Sequence, residues 1–308
     1  DADQRLVGLH GAHDRHVLPA HRRRLAPHDG LSHPHHVRRA RERLAREFPE
    51  SRFVPHAWLS FAEFYFNDEG DMEAARQFYS KVLETPPESN PVYGYALYRQ
   101  AWVLYNLEDF AGSLAQFVRV IEFGVENPEA RDVANLIRQS RLELVLPYSR
   151  VGRPNQALEF FRRYATDDDQ AFEMLESLAE LYYDTGQWPE TIQIYHRLMS
   201  ERASSDRLCY WQARVAHAIV SSRPEDDQVT EVTRLVDLEE HFRSEGTHPA
   251  ESVTQCRQET AQLLFELAVA WHREAIGTDA SPGTNDRNTM RLAAQLYQTA
   301  VDHFADME

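Results

Sequence analysis

The sequence predicts an all-α fold made by stacking helical hairpins. Three observations predict it. First, small and aromatic residues recur at one spacing: Gly70, Ala75, Tyr79, Val82 and Pro87 fall at offsets 0, 5, 9, 12 and 17. Gly152, Ala157, Phe161 and Tyr164 repeat the first four offsets, and so do Gly186, Thr191, Tyr195 and Leu198, with Gly186 placed 34 residues after Gly152. A fixed period of this length marks a repeat array. Second, Leu175, Leu178, Ala179 and Tyr182 stand at i, i+3, i+4 and i+7, which is one face of a helix. Third, the helix breakers fall where hairpins need them. Gly186 sits at a turn, where positive φ costs little without a Cβ. Pro87 follows the second helix of its unit, which it stops because it lacks an amide hydrogen.

Residues 1–47 stand apart. They hold ten arginines and six acids, a net of +4, so the remaining 261 residues carry −20 of the chain's −16. Eight of the fifteen histidines fall there, and Pro19, Pro27 and Pro34 interrupt any period before about Val37. Low apolar content and many breakers predict a disordered leader. Three readings of it stay open. His10, His13, His16, His33, His35 and His36 are imidazoles that could hold a transition metal, though no aspartate or cysteine completes a fixed site. Arg22, Arg23, Arg24, Arg38 and Arg39 could dock on an anionic membrane or nucleic acid. The third reading is an unstructured tail, or a GC-rich gene read out of frame; 32 arginines against one lysine, Lys81, point to such a genome.

The repeats follow over 48–221. The first copy is Trp58, Phe61, Ala62, Tyr65, Gly70, Ala75, Tyr79, Val82 and Pro87, with one extra residue before the glycine. The second is Leu97, Gln100, Ala101, Leu104, Glu108, Ser113, Phe117 and Val120; Glu108 replaces the turn glycine, so that turn must differ or be strained. The third is Leu144, Val145, Tyr148, Gly152, Ala157, Phe161 and Tyr164. The fourth runs from Leu175 to Leu198, where Ala179 must be small because two backbones approach closely. The segment 222–308 is less regular. Its polar stretch 222–256, with Pro224 and Pro249, reads as a loop-bearing helical hairpin. A degenerate fifth copy follows: Leu267, Ala268 and Trp271, then Ala293, Tyr297 and Ala300, with 277–286 inserted between its helices.

These residues resemble the tetratricopeptide repeat, whose pattern runs Trp, Leu, small, Tyr, Gly, Ala, aromatic, small or apolar, Pro. The resemblance covers roughly 48–308 and implies a right-handed α-solenoid of helix-turn-helix units. The stretches Phe48 to Ala57 and Tyr95 to Trp102 are similar to those of bacterial envelope members of the family. Those members are the outer-membrane assembly lipoprotein of the BamD type, the periplasmic coordinator of the Tol–Pal system, and large repeat proteins of gliding bacteria. The resemblance implies a non-catalytic scaffold on the periplasmic side of a bacterial cell envelope. The alternative is a cytoplasmic peptide-binding regulator.

In this family the first helix of each unit lines the concave surface, which implies partner-binding residues. Copy two would present Tyr95, Tyr98, Trp102, Tyr105 and Asn106, whose rings suit an interface because they bury area and keep a polar handle. Copy four would present Glu173, Glu176, Glu180, Tyr183 and Asp184, which would draw a basic partner segment. Aromatics at helical spacing are more often core, and an acidic row is more often a solvated face. The subtype that clamps chaperone C-termini needs Lys and Asn at positions held here by Leu142, Leu146, Glu176 and Glu180, and is rejected.

Composition narrows the function classes. The acidic body argues against nucleic acid, which needs a basic footprint. The best apolar run, Ala261 to Trp271, is 11 residues long and contains Glu266, short of the ~20 needed to span a bilayer. Membrane association is therefore expected only through a missing N-terminal anchor or through partners. The chain starts at Asp1 and stops at Glu308, and both ends read as cut from something longer. Cys209 and Cys256 fit no metal or redox spacing, and Cys209 reads as a buried thiol, which leaves the redox compartment open. No phosphate-loop, dinucleotide, zincin or nucleophile-elbow motif occurs, so neither catalysis nor a cofactor is expected. Asp167, Asp168 and Asp169 lack the rest of a calcium loop and read as a helix cap.

Overall fold

A computed structural model describes residues 43, 44, 46–49, 51–278 and 281–307. The leader readings, including all six candidate metal-binding histidines, lie outside the described residues. The described chain is all-α but for one short hairpin.

Its first hairpin is α1 (Val54–Phe64) and α2 (Met72–Leu83). Next come α3 (Tyr93–Asn106) and α4 (Phe110–Glu126). The third unit is α5 (Val133–Glu143), α6 (Val145–Val151) and α7 (Ala157–Tyr164). The fourth is α8 (Asp168–Asp184) and α9 (Trp188–Glu201). Then follow α10 (Leu208–Ser222), α11 (Glu225–Glu245), α12 (Ala250–Ile276) and α13 (Arg287–Phe304). The expected insertion is present: Gly277–Thr278 pairs antiparallel with Ser281–Pro282 between α12 and α13. The expected helical hairpin over 222–256 is α11 and the start of α12.

Helices pack on their sequence neighbours, and α3 with α5, α4 with α6, α6 with α8, α10 with α12, and α11 with α13 pack as alternate pairs. The small and aromatic repeat positions lie at these contacts. Ala62, Ala75, Tyr79, Ala101, Ser113, Phe117, Ala157, Phe161, Ala179, Thr191 and Tyr195 are all fully buried. Close packing at such sites leaves no room for added volume.

The turns explain how unequal copies close alike. In copy four the amide of Gln187 donates to the carbonyl of Tyr182 at 2.8 Å, over Gly186 at φ 68°. In copy two the amide of Asp109 donates to Leu104 at 2.9 Å, over Glu108 at φ 61°. That is the left-handed turn expected of a glycine, held by a residue with a Cβ. In copy one the amide of Asp71 donates to Tyr65 at 3.0 Å, over Gly70 at φ 69°. The extra residue is absorbed by a π-helical turn, Tyr65–Glu69, so the same carbonyl receives the closing bond. Asp71 and Asp109 then cap the next helices, accepting from the amides of Ala74 and Gly112, each at 2.9 Å.

Copy three departs from this plan. Gly152 has extended backbone, φ −76° and ψ 167°, so positive φ is not what requires glycine there. A Cβ would stand 2.4 Å from the Tyr148 ring, whose hydroxyl donates to the carbonyl of Arg153 at 3.0 Å. The first helix is also broken at Leu144. Pro147 has no amide hydrogen to offer the carbonyl of Glu143 four residues back.

The core is a series of apolar clusters that share helices. One joins Ala62, Tyr79 and Val103; the largest runs from Ala101 to Val215; another runs from Cys209 to Phe304. Helix α10 belongs to the last two at once, with Trp211 and Val215 on one side and Cys209 and Ala216 on the other. The cysteine reading changes here. Cys209 on α10 is not a lone thiol but is bonded to Cys256 on α12, with Cα atoms 5.7 Å apart. Their separation of 47 residues spans the whole of α11.

Candidate functional site

The predicted binding residues sit on α3 and α8, and the structure gives most of them partners inside the chain. On α3, the Tyr98 hydroxyl donates to Glu143 Oε1 at 3.0 Å and Trp102 Nε1–H to Glu143 Oε2 at 2.9 Å. The break at Leu144 ends α5 at this Glu143. Trp102 is buried, with its ring edge-on to Phe117 at 5.6 Å. Tyr105 packs edge-on to Phe110 at 5.3 Å, and Asn106 turns back to the Trp102 carbonyl at 2.7 Å. Tyr95 keeps its ring exposed.

On α8, the acidic row meets a basic and aromatic row on α10. Glu176 accepts from Arg207 Nε at 2.6 Å and from Trp211 Nε1 at 2.7 Å. Glu180 accepts from the Tyr195 hydroxyl at 2.7 Å and also from the Tyr210 hydroxyl. Tyr183 lies against Trp188 and His217, with the Arg214 guanidinium 4.4 Å over its ring. The basic segment that the acidic row was expected to attract is, for Glu176, the chain's own Arg207 at the start of α10. Glu173 and Asp184 remain exposed.

One constellation was missed in the sequence, and it occurs twice. Glu63 accepts from the Tyr79 hydroxyl at 2.5 Å, and from Arg99 Nε at 2.9 Å and Nη2 at 3.2 Å. The Tyr95 hydroxyl lies beside the same carboxylate, and Arg99 stacks 4.0 Å over Phe66. Glu180, Tyr183, Tyr195, Tyr210 and Arg214 reproduce Glu63, Phe66, Tyr79, Tyr95 and Arg99 in order. The aromatic lies three residues after the acid, and the last tyrosine lies four before the arginine. The signal was an acid and an aromatic on a first helix, a tyrosine on the second, and Tyr-x-x-x-Arg on the next first helix.

The two sets differ in wiring. Arg99 binds the carboxylate directly and also reaches Asn67 Oδ1 at 3.1 Å. Arg214 donates to the Tyr210 hydroxyl at 3.0 Å, and that hydroxyl in turn donates to Glu180. Burial pushes the Tyr210 hydroxyl up to about 12, with the Glu180 carboxylate adding to the shift. Burial likewise drives Tyr79 and Tyr195 well above the ordinary phenol range. These hydroxyls stay protonated at neutral pH and act as donors. The arrangement ties each hairpin to the next through a shared carboxylate.

Elsewhere, Asp167 caps α8 as expected, accepting from the Gln170 amide at 2.8 Å, while Asp168 and Asp169 pair with Arg162 and Arg202. No group of three or more potential metal ligands occurs among the described residues. No helix among them is long and apolar enough to cross a membrane. A shallow depression of 430 Å³ lies between Arg52, Phe53 and His56 at the start of α1 and the turn at Pro87, away from every predicted site residue. No protein-family model and no curated protein matches this sequence.

Proposed function

We propose that the chain is a non-catalytic scaffold of the tetratricopeptide class. In this reading it is a right-handed solenoid that holds protein segments within a bacterial cell-envelope assembly. One observation carries the reading. The acid, aromatic, tyrosine, tyrosine and arginine set recurs in two hairpins far apart in sequence, and in both the carboxylate accepts from the next hairpin, from Arg99 in one and from Tyr210 in the other. Repeat arrays are held by such nearest-neighbour interfaces. The turn that closes on Tyr65, Leu104 and Tyr182 supports it independently.

The inner-face network narrows where a partner would sit. Glu176, Glu180, Tyr98 and Trp102 are engaged in holding hairpins together, so a partner contacts the exposed Glu173 and Asp184, the outer side of Asn106, and the part of the Tyr95 ring left uncovered while its hydroxyl meets Glu63. Tyr95 is the ring to test, since an exposed tyrosine can bury large area at low entropic cost.

The experiment is affinity capture with the full chain on envelope and cytosolic extracts, followed by identification of the bound proteins. It is repeated with Tyr95→Phe, Tyr95→Ala and Trp102→Ala. An envelope partner held by wild type and Tyr95→Phe, and lost with Tyr95→Ala at unchanged melting temperature, supports the proposal. Capture that ignores Tyr95→Ala removes this face as the binding surface. Capture from cytosol alone favours the cytoplasmic regulator.

A further inference from the structure

We infer that Cys209 and Cys256 are a substrate pair for thiol oxidation, joined by disulfide exchange before the C-terminal helices close over them, in an oxidising compartment. The inference shares its compartment with the proposed scaffold but rests on the two sulfurs and needs no binding partner.

These are the only two cysteines in the chain, and they are bonded to each other across α10 and α12. Their Cα separation of 5.7 Å lies within the ordinary range for a disulfide. Cys209 is 2% exposed and Cys256 3%, in a cluster with Ala216, Val232, Leu235 and Leu264. Apolar surroundings disfavour a thiolate, so the pair is not built for repeated catalytic exchange. Buried structural disulfides belong to oxidising compartments, whereas cytosolic thiols are ordinarily kept reduced.

The order of events follows from access. Exchange needs a thiolate to attack a disulfide sulfur, so three sulfurs must meet. No oxidase can bring its sulfurs to atoms closed off in the core that α10–α13 share. The oxidant, a protein dithiol oxidase in its disulfide form, therefore acts while α11–α13 are still open. The thiolate of one cysteine attacks the oxidase disulfide, forming a mixed disulfide and releasing one oxidase thiol. The thiolate of the other cysteine attacks the sulfur of the first, forming the Cys209–Cys256 bond and releasing the second oxidase thiol. Two thiols become one disulfide, and two electrons and two protons leave on the oxidase as its dithiol.

The test uses the full chain carrying a secretion leader, made in a bacterial host with or without its periplasmic dithiol oxidase. Thiols are alkylated in denaturant before and after reduction, and intact masses are read. The expected result is no alkylation before reduction when the oxidase is present, and two alkylated thiols in the host that lacks it. Two free thiols in the complete host, or full oxidation without the oxidase, overturn the inference. A second measurement needs no host: reduced chain receives oxidised glutathione either at the start of refolding or after it. Oxidation at least about tenfold slower after refolding is expected, because the sulfurs are then closed off. Equal rates overturn the order of events. Free thiols leave the capture result standing, and failed capture with an intact disulfide leaves this inference standing.

Discussion

Glu63 and Glu180 occupy one position in two distant repeats, and each is held by a tyrosine of its paired helix, Tyr79 at 2.5 Å and Tyr195 at 2.7 Å. Removing either acid strands partly buried donors. Glu180→Ala is expected to cost about 2–3 kcal/mol, from the unmet hydroxyls of Tyr195 and Tyr210. Glu180→Gln retains an acceptor and is expected to cost less than half as much. Urea unfolding of both variants checks this; equal midpoints for Ala and Gln would mean the hydrogen bonds contribute little.

The left-handed turns make a pair of opposite predictions. Gly186→Ala adds a Cβ with nothing nearer than 3.8 Å, so its cost is backbone strain alone, roughly 1 kcal/mol. Glu108→Gly relieves the same strain, offset by the greater freedom of glycine in the unfolded chain, and is expected to be neutral or stabilising by up to about 1 kcal/mol. Thermal melts of the two variants should move in opposite directions, or the second should not move.

The π-turn predicts tolerance of a deletion. Asp68 is exposed and lies in the five-residue π segment, so its removal would return copy one to the length of copies two and four. Helix content is expected to be unchanged and the loss of stability to stay under about 1 kcal/mol. Loss of the α1–α2 hairpin by hydrogen exchange would show that the π-turn is required for the fold.

How far the sequence could be read differs by residue type. The small and aromatic offsets of copies one to four were legible because those residues pack within a hairpin, at fixed local distances. Tyr79 was legible as a repeat position, but its meeting with Glu63 and Arg99 was not, since Arg99 comes from the next hairpin and the contact depends on which helix lies beside α1. Glu176 and Glu180 were legible as an acidic face but not as partners of α10, for the same reason. The cysteine pair was hidden by α11. Nothing local to Cys209 or Cys256 says that a 21-residue helix leaves and returns between them.

The tyrosines predict an alkaline limit. Burial raises Tyr182 and Tyr210 to about 12, against about 10 in an unfolded chain. A folded value raised above the unfolded one gives stability that is complete below pH ~10 and is lost as pH rises through the folded value. Stability is therefore expected to fall between about pH 10 and 12, with phenolate absorbance near 295 nm rising late and together with loss of helix. Phenolate absorbance that develops fully before any helix is lost would contradict the buried geometry.

His248 predicts a second, milder dependence. Its ring stacks on Phe242 at 3.6 Å between Asp206, 2.7 Å from Nδ1, and Glu245, 3.0 Å from Nε2. The Asp206 hydrogen bond, opposed by desolvation and aided by Glu245, raises its pKa. Its contribution is complete below the unfolded value near 6.5 and is lost as pH rises through the higher folded value. Proton NMR of the His248 ring should titrate above the ordinary imidazole value, and Asp206→Asn should lower it.

Reduction predicts a measurable loss. A loop closed across 47 residues corresponds to about 4 kcal/mol in the chain-entropy account. Cys209→Ser with Cys256→Ser is expected to lower the unfolding free energy by up to that amount. Protection from hydrogen exchange should fall most in α11 and α12.

Helix α10 turns one side to Trp188, Tyr195 and Glu180 of the preceding hairpin and the other to α11 and to α12, to which the disulfide bonds it. A rod gripped along both flanks is a poor place for a bend. Force applied to α12 reaches α8 through a covalent bond, one stiff helix and a carboxylate held by two hydroxyls, with no soft loop in series.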